Sequence, residues 1–392
     1  MQEVFIHQAA AQKVALFFPW VYDNEILRMP GDLIPGDIVK VLSPSGGFLG
    51  IGYLNPVSTI ALRILSFAQR PINQEFLREK ISQARLRRAP LMNHTNAVRA
   101  VHSEADDLPG LIIDDYNGYL SIQINTAGME RLRSEILATL SDVFHPRGIY
   151  ELSDAGSRGK EGLPTAEGIL WGDVPHDFVI DENAVRFKIR LQGSQKTGFY
   201  LDQRRNRQIV ASYVGKGFRV LDLFSHMGGF GIYAALKGAA DVTLVDQSRA
   251  ALALAEENIT LNGLTQVATV KRDAFEYLAD ACRKKERFDL IILDPPSFTK
   301  TRGAKGGALK GYHRLVSGGL HLLKPDGYLA LFSCSHHIAL SDLEAACLQA
   351  GEGADCRLHF CEYLLQDQDH PYHLNIPQSL YLKGLLLRKV PP

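Results

Sequence analysis

From residue 186 onward, apolar segments alternate with helix-like segments, and most apolar segments stop at an acidic or nucleophilic residue. Strand candidates fall at 219–224, 241–246, 268–272, 290–293 and 328–332. Helix candidates follow them at 230–236, 248–258, 273–282, 309–323 and 341–350. Strands separated by helices predict a parallel sheet wound on both faces. Ligands of such sheets gather beyond the carboxyl ends of the strands. Chemistry is therefore expected in the residues that follow each strand.

The preceding chain reads differently. Residues 1–70 hold short strands separated by turns, at 37–41, 48–53 and 58–65, with turns at 43–47 and at Asn55-Pro56. That pattern predicts a small β-barrel, and Pro71 marks its boundary. Residues 71–185 carry a helix at 74–88, strands at 98–101, 110–115 and 119–124, a helix at 129–140, and strands at 147–152 and 176–181. Strands, helix and strands in that order predict an α+β module. A length of 392 residues accommodates these domains, 1–70, 71–185 and 186–392.

No apolar run reaches the ~18 residues of a membrane helix, so no membrane partner is expected. The five cysteines form no CxxC pair, and their odd number argues against a disulfide framework. A reducing cytoplasm is the expected compartment. The 43 basic and 43 acidic residues cancel, but the basic ones cluster at 185–219 and 299–314. Such stretches attract a polyanion, or lie as solvated surface.

The first strand of the alternating region runs into Asp222-Leu223-Phe224-Ser225-His226-Met227-Gly228-Gly229. Glycines in this turn let backbone approach a ligand, although the GxGxxG dinucleotide fingerprint is absent. The second strand ends in Asp246, 18 residues beyond Gly228. An acid there accepts from the ribose hydroxyls of a nucleoside cofactor, or caps the next helix. Asp273, after the third strand, suits an adenine amino group or another cap, and Phe275 suits the ring's flank or the core.

The fourth strand ends in Asp294-Pro295-Pro296-Ser297-Phe298. The prolines fix φ and remove two donors, holding Asp294 in one geometry where a base edge can be read. Phe298 is then available for stacking. A charge at the end of a buried strand needs a partner, which favours function over a structural turn. The fifth strand ends in Ser333-Cys334-Ser335-His336-His337. A cysteine on this rim suits a thiolate nucleophile. Adjacent histidines rarely converge on one ion, so no metal is expected. Cys282, Cys347, Cys356 and Cys361 read as packing residues.

The set resembles class I S-adenosylmethionine-dependent methyltransferases. More narrowly, it is similar to bacterial large-subunit (23S) ribosomal RNA cytosine carbon-5 methyltransferases that carry an N-terminal PUA domain. The resemblance rests on Gln195-Lys196-Thr197-Gly198-Phe199-Tyr200-Leu201-Asp202-Gln203-Arg204, on the Asp294–298 segment and on the Cys334 segment. Pro19-Trp20-Val21-Tyr22 and the 48–56 segment resemble the PUA part, and Leu108-Pro109-Gly110-Leu111-Ile112-Ile113-Asp114 the central module. His226-Met227 stands where the family carries Tyr-Thr.

The resemblance implies a Rossmann-like catalytic domain with a leading β-hairpin at 183–200. It implies S-adenosyl-L-methionine as cofactor, RNA of the large subunit as partner, and room for a homodimer. Phe224, Ser225 and Gly228 would hold the methionine end, Asp246 the ribose and Asp273 the adenine. Tyr200, Asp202 and Arg204 would close the cofactor pocket. Asp294 would face both cofactor and base, with Pro295, Pro296, Phe298 and Lys196 at the substrate. Cys334 would add to carbon 6 of cytosine, making carbon 5 enamine-like. Two other readings exist: methylation of an exocyclic amino group, which needs no cysteine, and a non-catalytic RNA-binding or assembly protein.

Overall fold

The computed structural model describes residues 1–192, 198–299 and 302–391. Contacts divide the chain into two units. The first is Met1–Ala184 with Ile189–Leu201 and Gln368–Ser379; the second is Val185–Lys188, Asp202–Asp367 and Leu380–Pro392.

The first unit carries two sheets. Strands β1 (Gln2–Ile6), β2 (Trp20–Val21), β3 (Ile26–Arg28), β4 (Asp37–Leu42), β5 (Phe48–Leu54) and β6 (Leu62–Ser66) form a sheet of order β2-β6-β5-β4-β1-β3, with helix α1 (Gln8–Ala15) beside it. Val4, Val39, Val41, Leu54 and Ile64 form its core, as period-two alternation requires. The last strand starts at Leu62 rather than 58. The Asn55 side chain accepts from the Val57 N–H at 3.1 Å, and the Asn55 N–H donates to the Ala61 carbonyl, so the turn extends through 61.

Strands β7 (Ala97–His102), β8 (Leu111–Tyr116), β9 (Tyr119–Ile124), β10 (Gly148–Leu152) and β11 (Glu167–Gly172) form the second sheet, in reverse sequence order. Helix α2 (Gln74–Arg88) is capped by Asn73, which accepts from the Phe76 N–H at 3.0 Å, and buries Phe76, Leu77 and Ile81. The helix expected at 129–140 is two, α3 (Ala127–Arg131) and α4 (Arg133–Phe144), broken where Leu132 leaves helical geometry. A short helix, α5 (Ala155–Lys160), follows β10.

Strands β12 (Phe178–Glu182) and β13 (Val185–Ile189) flank Asn183 and Ala184, both with positive φ. This strand–turn–strand begins earlier than the expected hairpin at 183–200, because the turn is made by the tight Asn183-Ala184 pair.

The second unit is a seven-stranded sheet. Its strands are β14 (Arg219–Leu223), β15 (Asp241–Asp246), β16 (Val267–Lys271), β17 (Phe288–Leu293), β18 (Leu323–Ser333), β19 (Arg357–Leu365) and β20 (Lys383–Val390). Their order is β16-β15-β14-β17-β18-β20-β19. The first five are parallel, while β20 runs antiparallel to both neighbours. Helices α6 (Arg204–Ser212), α7 (Gly229–Leu236), α8 (Arg249–Leu261), α9 (Ala274–Arg283), α10 (Lys305–Leu322) and α11 (Leu340–Gly353) complete it. Strand order reverses between β14 and β17, which opens a crevice at their carboxyl ends. Among the described residues no helix is long and apolar enough to cross a membrane.

Candidate active site

The turn after β14 is built for close approach of a ligand to backbone. Phe224, His226 and Gly228 all have positive φ. A Cβ on Gly228 would lie 2.8 Å from the Leu244 side chain, and one on Gly231 only 2.2 Å from it, so helix α7 sits tight on the sheet. The Ser225 hydroxyl is buried and meets no hydrogen-bond partner among the described residues. Burial of an unmatched hydroxyl is costly unless a ligand completes it. Phe224 packs on the core from its edge.

Asp246 ends β15 beside that turn. Its carboxylate accepts from the His226 N–H at 3.0 Å and from the Ser248 N–H at 2.8 Å. The cap of α8 is Ser248, which accepts from the Ala251 N–H, so Asp246 is not the helix cap. Asp273 does cap its helix, α9, accepting with one oxygen from the Phe275 and Glu276 N–H groups.

Asp222, within β14, is 1% exposed and accepts from the Gly231 N–H at 3.0 Å. Burial, with Asp294 and Asp246 adding like charge, pushes its carboxyl up to about 8. It is therefore a neutral acid at pH 7 at the base of the crevice. A lone acid in the apolar run Val220–Leu223 was the signal for it.

Asp294 follows β17, and its Oδ2 accepts from the Gln203 amide at 3.0 Å. Pro295 is buried and Pro296 exposed. Phe298 is half-buried. Its ring packs 5.0 Å from Tyr312 and 6.3 Å from Phe275, because the chain after the prolines turns down onto α10. Phe275 in turn lies 4.7 Å under the Arg314 guanidinium.

Strands β17 and β18 are parallel neighbours, with Leu293 opposite Leu331. The segments after them, carrying Asp294 and Cys334, therefore emerge side by side. Tyr312 of α10 is fully buried in the field of both groups, and among the described residues its hydroxyl completes no full hydrogen-bond geometry. Burial raises its phenol above the ordinary range, so it stays neutral. Cys334 is half-buried. Burial pushes the other four thiols up, Cys347 to about 12, which fits packing roles.

Asp202 and Arg204 are nearly fully buried. Asp202 accepts from the Tyr381 hydroxyl at 2.6 Å, and Arg204 pairs with Asp367 at 2.8 Å. These contacts anchor the start of α6. Tyr200 belongs to the first unit and is half-buried, and Lys196 lies outside the described residues.

Much of the basic stretch 185–219 is spoken for by internal partners. Lys188 pairs with Glu257 at 2.6 Å, Arg190 with Asp177 at 2.7 Å, and Arg219 with Asp241 at 2.7 Å. In the second stretch Lys305 pairs with Asp342 at 2.7 Å. Lys310, Arg205, Arg186 and Lys216 remain exposed. The clusters are thus less available to a polyanion than a count of charges suggests.

The residues that reading the sequence passed over are Gln203, Asp222, Tyr312 and Lys383. Gln203 lies inside the quoted 195–204 motif, and Tyr312 and Lys383 reach the site from elements remote in sequence.

Residues 164–388 match the family model described as S-adenosylmethionine-dependent methyltransferase, and residues 4–67 match a PUA-like domain. The chain is 36% identical to the ribosomal RNA large subunit methyltransferase I of Tolumonas auensis, over 99% of both chains. It is also 36% identical to the protein of the same name from Aeromonas salmonicida, over 98% of this chain and 99% of that one. A methyltransferase solved in complex with SAH shares the fold, with a TM-score of 0.86 at 23% identity, covering 99% of this chain and 100% of that one. A SAM-dependent methyltransferase from Streptococcus mutans does so with a TM-score of 0.85 at 24% identity, with the same coverage.

Proposed function

The chain belongs to the S-adenosylmethionine-dependent methyltransferases with an N-terminal PUA-like domain, and from that membership we propose that it methylates carbon 5 of a cytosine in large-subunit ribosomal RNA through a covalent Cys334 adduct. The observation that carries the reading is the placement of Cys334 beside Asp294, at the ends of neighbouring parallel strands. The relatives named for large-subunit ribosomal RNA support the substrate class.

The crevice fits the cofactor. The buried, unmatched Ser225 hydroxyl and the positive-φ turn through Gly228 suit its methionine end. Asp246 suits the ribose, and the Asp273 oxygen not used in capping suits the adenine amino group. Phe224 would cover one side. Bound there, S-adenosylmethionine supplies an electrophilic methyl group.

The chain's own residues do the rest. The Cys334 thiolate adds to carbon 6 of the base and gives carbon 5 the enamine character that attack on a methyl requires. The Asp294 carboxylate, steadied by Gln203, accepts from the exocyclic amino group beside the N3 edge and so orients the ring, while N3 takes a proton from water as charge develops there. Once carbon 5 has taken the methyl, with the methyl–sulfur bonding pair left on the departing thioether, loss of the carbon-5 proton to water expels the thiolate and restores the aromatic ring. Pro295 and Pro296 keep the Asp294 carbonyls and side chain in register with the base. A stacked, paired cytosine hides carbon 5, so the target is a looped or splayed nucleotide.

The test is nucleoside mass spectrometry on unmodified large-subunit RNA incubated with the protein and S-adenosylmethionine. The expected product is 5-methylcytidine, abolished in Cys334→Ala while cofactor binding survives. A methylated amino group, or undiminished activity in Cys334→Ala, would overturn the adduct mechanism.

A further inference from the structure

Lys383 opens β20 and is only 6% exposed. It stands directly across the antiparallel ladder from Ser333, the residue before Cys334. Its ammonium donates to the Ser335 carbonyl, the residue after Cys334, at 3.0 Å. The Lys383 backbone thus pairs with the residue before the cysteine, and its ammonium holds the carbonyl of the residue after it. A carbonyl offers a partial charge, whereas a buried ammonium carries a full one and calls for a compensating anion.

Among the described residues the acidic groups in the field of Lys383 are Cys334 and Asp342. Asp342 lies in the field of Lys383 but is already held by Lys305 at 2.7 Å. The remaining acidic group in that field is the Cys334 thiol. A thiolate at Cys334 also needs a cation for its own sake. From the β17 side it shares its surroundings with the Asp294 carboxylate, and from α10 with the neutral Tyr312 phenol. His336 and His337, on its own segment, are exposed to solvent. Across from them all, β20 brings the buried positive charge.

We propose that Lys383 is a positioning residue that holds Cys334 as the reactive thiolate, offsetting the negative charge of Asp294. This rests on the reading of Cys334 as nucleophile. Burial alone pulls the Lys383 ammonium below its ordinary range, and the anionic neighbours Cys334 and Asp342 oppose that pull, in keeping with a mutual pairing. Because Lys383 acts through the thiol, it sets the fraction of protein competent for addition rather than affinity for either substrate.

The experiment is the pH dependence of iodoacetamide alkylation at Cys334, followed by peptide mass spectrometry in the full-length protein. In Lys383→Met the alkylation midpoint should rise by roughly 1–3 pH units, the usual effect of removing an opposite charge at close range. Lys383→Arg, which keeps the charge, should restore most of the shift. Methylation by Lys383→Met should show a lower kcat with little change in KM for RNA, recovered as pH is raised. Cofactor titration and circular dichroism establish that the variants are folded, and Lys383→Gln gives the same readout should methionine not be tolerated. An unchanged midpoint in a folded Lys383→Met or Lys383→Gln protein overturns the pairing. Full methylation by Cys334→Ala, by contrast, overturns the nucleophile reading and with it the role of Lys383, whatever the midpoint does.

Discussion

The side-chain amide of Gln203 donates to Asp294 Oδ2 at 3.0 Å, and its own oxygen accepts from the Asn206 amide at 2.6 Å. All three residues lie in the second unit, and Gln203 and Asn206 are buried. The relay fixes which face of the Asp294 carboxylate is bound to protein. Two consecutive prolines constrain the backbone on one side, and Gln203 constrains the side chain on the other. Orientation of that acid is thus set by α6 as well as by its own strand.

Replacing Gln203 by Ala removes a hydrogen bond to a charged acceptor, worth about 1.5–3 kcal/mol. Methyl transfer should fall about 10–100-fold in kcat, with cofactor affinity nearly unchanged. Gln203→Glu should be worse, because it sets a second carboxylate against Asp294. Steady-state methylation assays with isothermal titration of the cofactor separate the two effects. An equal loss of cofactor affinity would place Gln203 in the cofactor pocket instead.

Gly228 combines φ of +84° with a Cβ approach of 2.8 Å to Leu244. Gly228→Ala therefore meets two costs at once, a left-handed backbone and a clash against the core side chain, together about 1–3 kcal/mol. Thermal melting should show the loss. Cofactor binding should weaken further than stability does, since the turn shapes the backbone around the buried Ser225 hydroxyl. A variant that melts normally and binds normally would show that the turn tolerates a side chain.

The parallel core was legible because β14, β15 and β17 are short, apolar and punctuated by acids, and burial on both faces demands that pattern. Asp246, Asp294 and Cys334 were visible for the same reason: polar residues at strand ends stand out against apolar runs. The last two strands were not. Arg357–Leu365 is largely exposed and mixes charges with aromatics, and Lys383–Val390 follows a long irregular stretch. Lys383 was therefore invisible as a site residue, since its meaning depends on a cross-strand partner fifty residues away in sequence. Phe298 lies half-buried beside Tyr312 and Phe275, and an aromatic after such a segment serves the core as readily as a ligand.

Asp222 makes stability fall with rising pH. Its folded carboxyl titrates at about 8, whereas an unfolded aspartate titrates near ~3.9. Between those values the folded state keeps a proton that the unfolded state has lost, so the advantage is complete below pH ~4 and gone once pH passes ~8. The slope is at most about 1.4 kcal/mol per pH unit for one proton. Asp222→Asn, which keeps an acceptor for the Gly231 N–H, should flatten that slope and be the more stable protein at pH 8. Denaturant melts of the second unit at pH 5, 6.5 and 8 read this directly, and parallel slopes for both proteins would rule the residue out as its source.

The first unit holds a buried ionic network that should respond to acid in the opposite direction. Arg88 is 2% exposed, donates to both oxygens of Asp106 at 2.8 and 2.6 Å, and donates to the Asp369 carbonyl at 3.0 Å. Asp369 accepts from the Arg99 N–H at 2.9 Å and contacts His370, whose ring lies 5.0 Å from His102. Burial, the His370 ring and the guanidinium groups of Arg99 and Arg88 push His102 well below the ordinary histidine range, against the pull of Asp369. His102 is then neutral in the folded state, while an unfolded histidine takes a proton below ~6.5. Stability is complete above that pH and declines as pH falls, by at most about 1.4 kcal/mol per unit. His102→Gln should remove the acid-side decline. Arg88→Ala should cost at most about 3–5 kcal/mol at neutral pH, since it takes from Asp106 its buried partner and leaves the half-exposed Arg87 guanidinium and the His102 N–H to hold the carboxylate. It should also free Gln368–Ser379, so limited proteolysis at neutral pH should cut this segment in Arg88→Ala well before it cuts the parent protein. Equal cleavage rates would mean that the apolar contacts of Ile376 hold the segment by themselves.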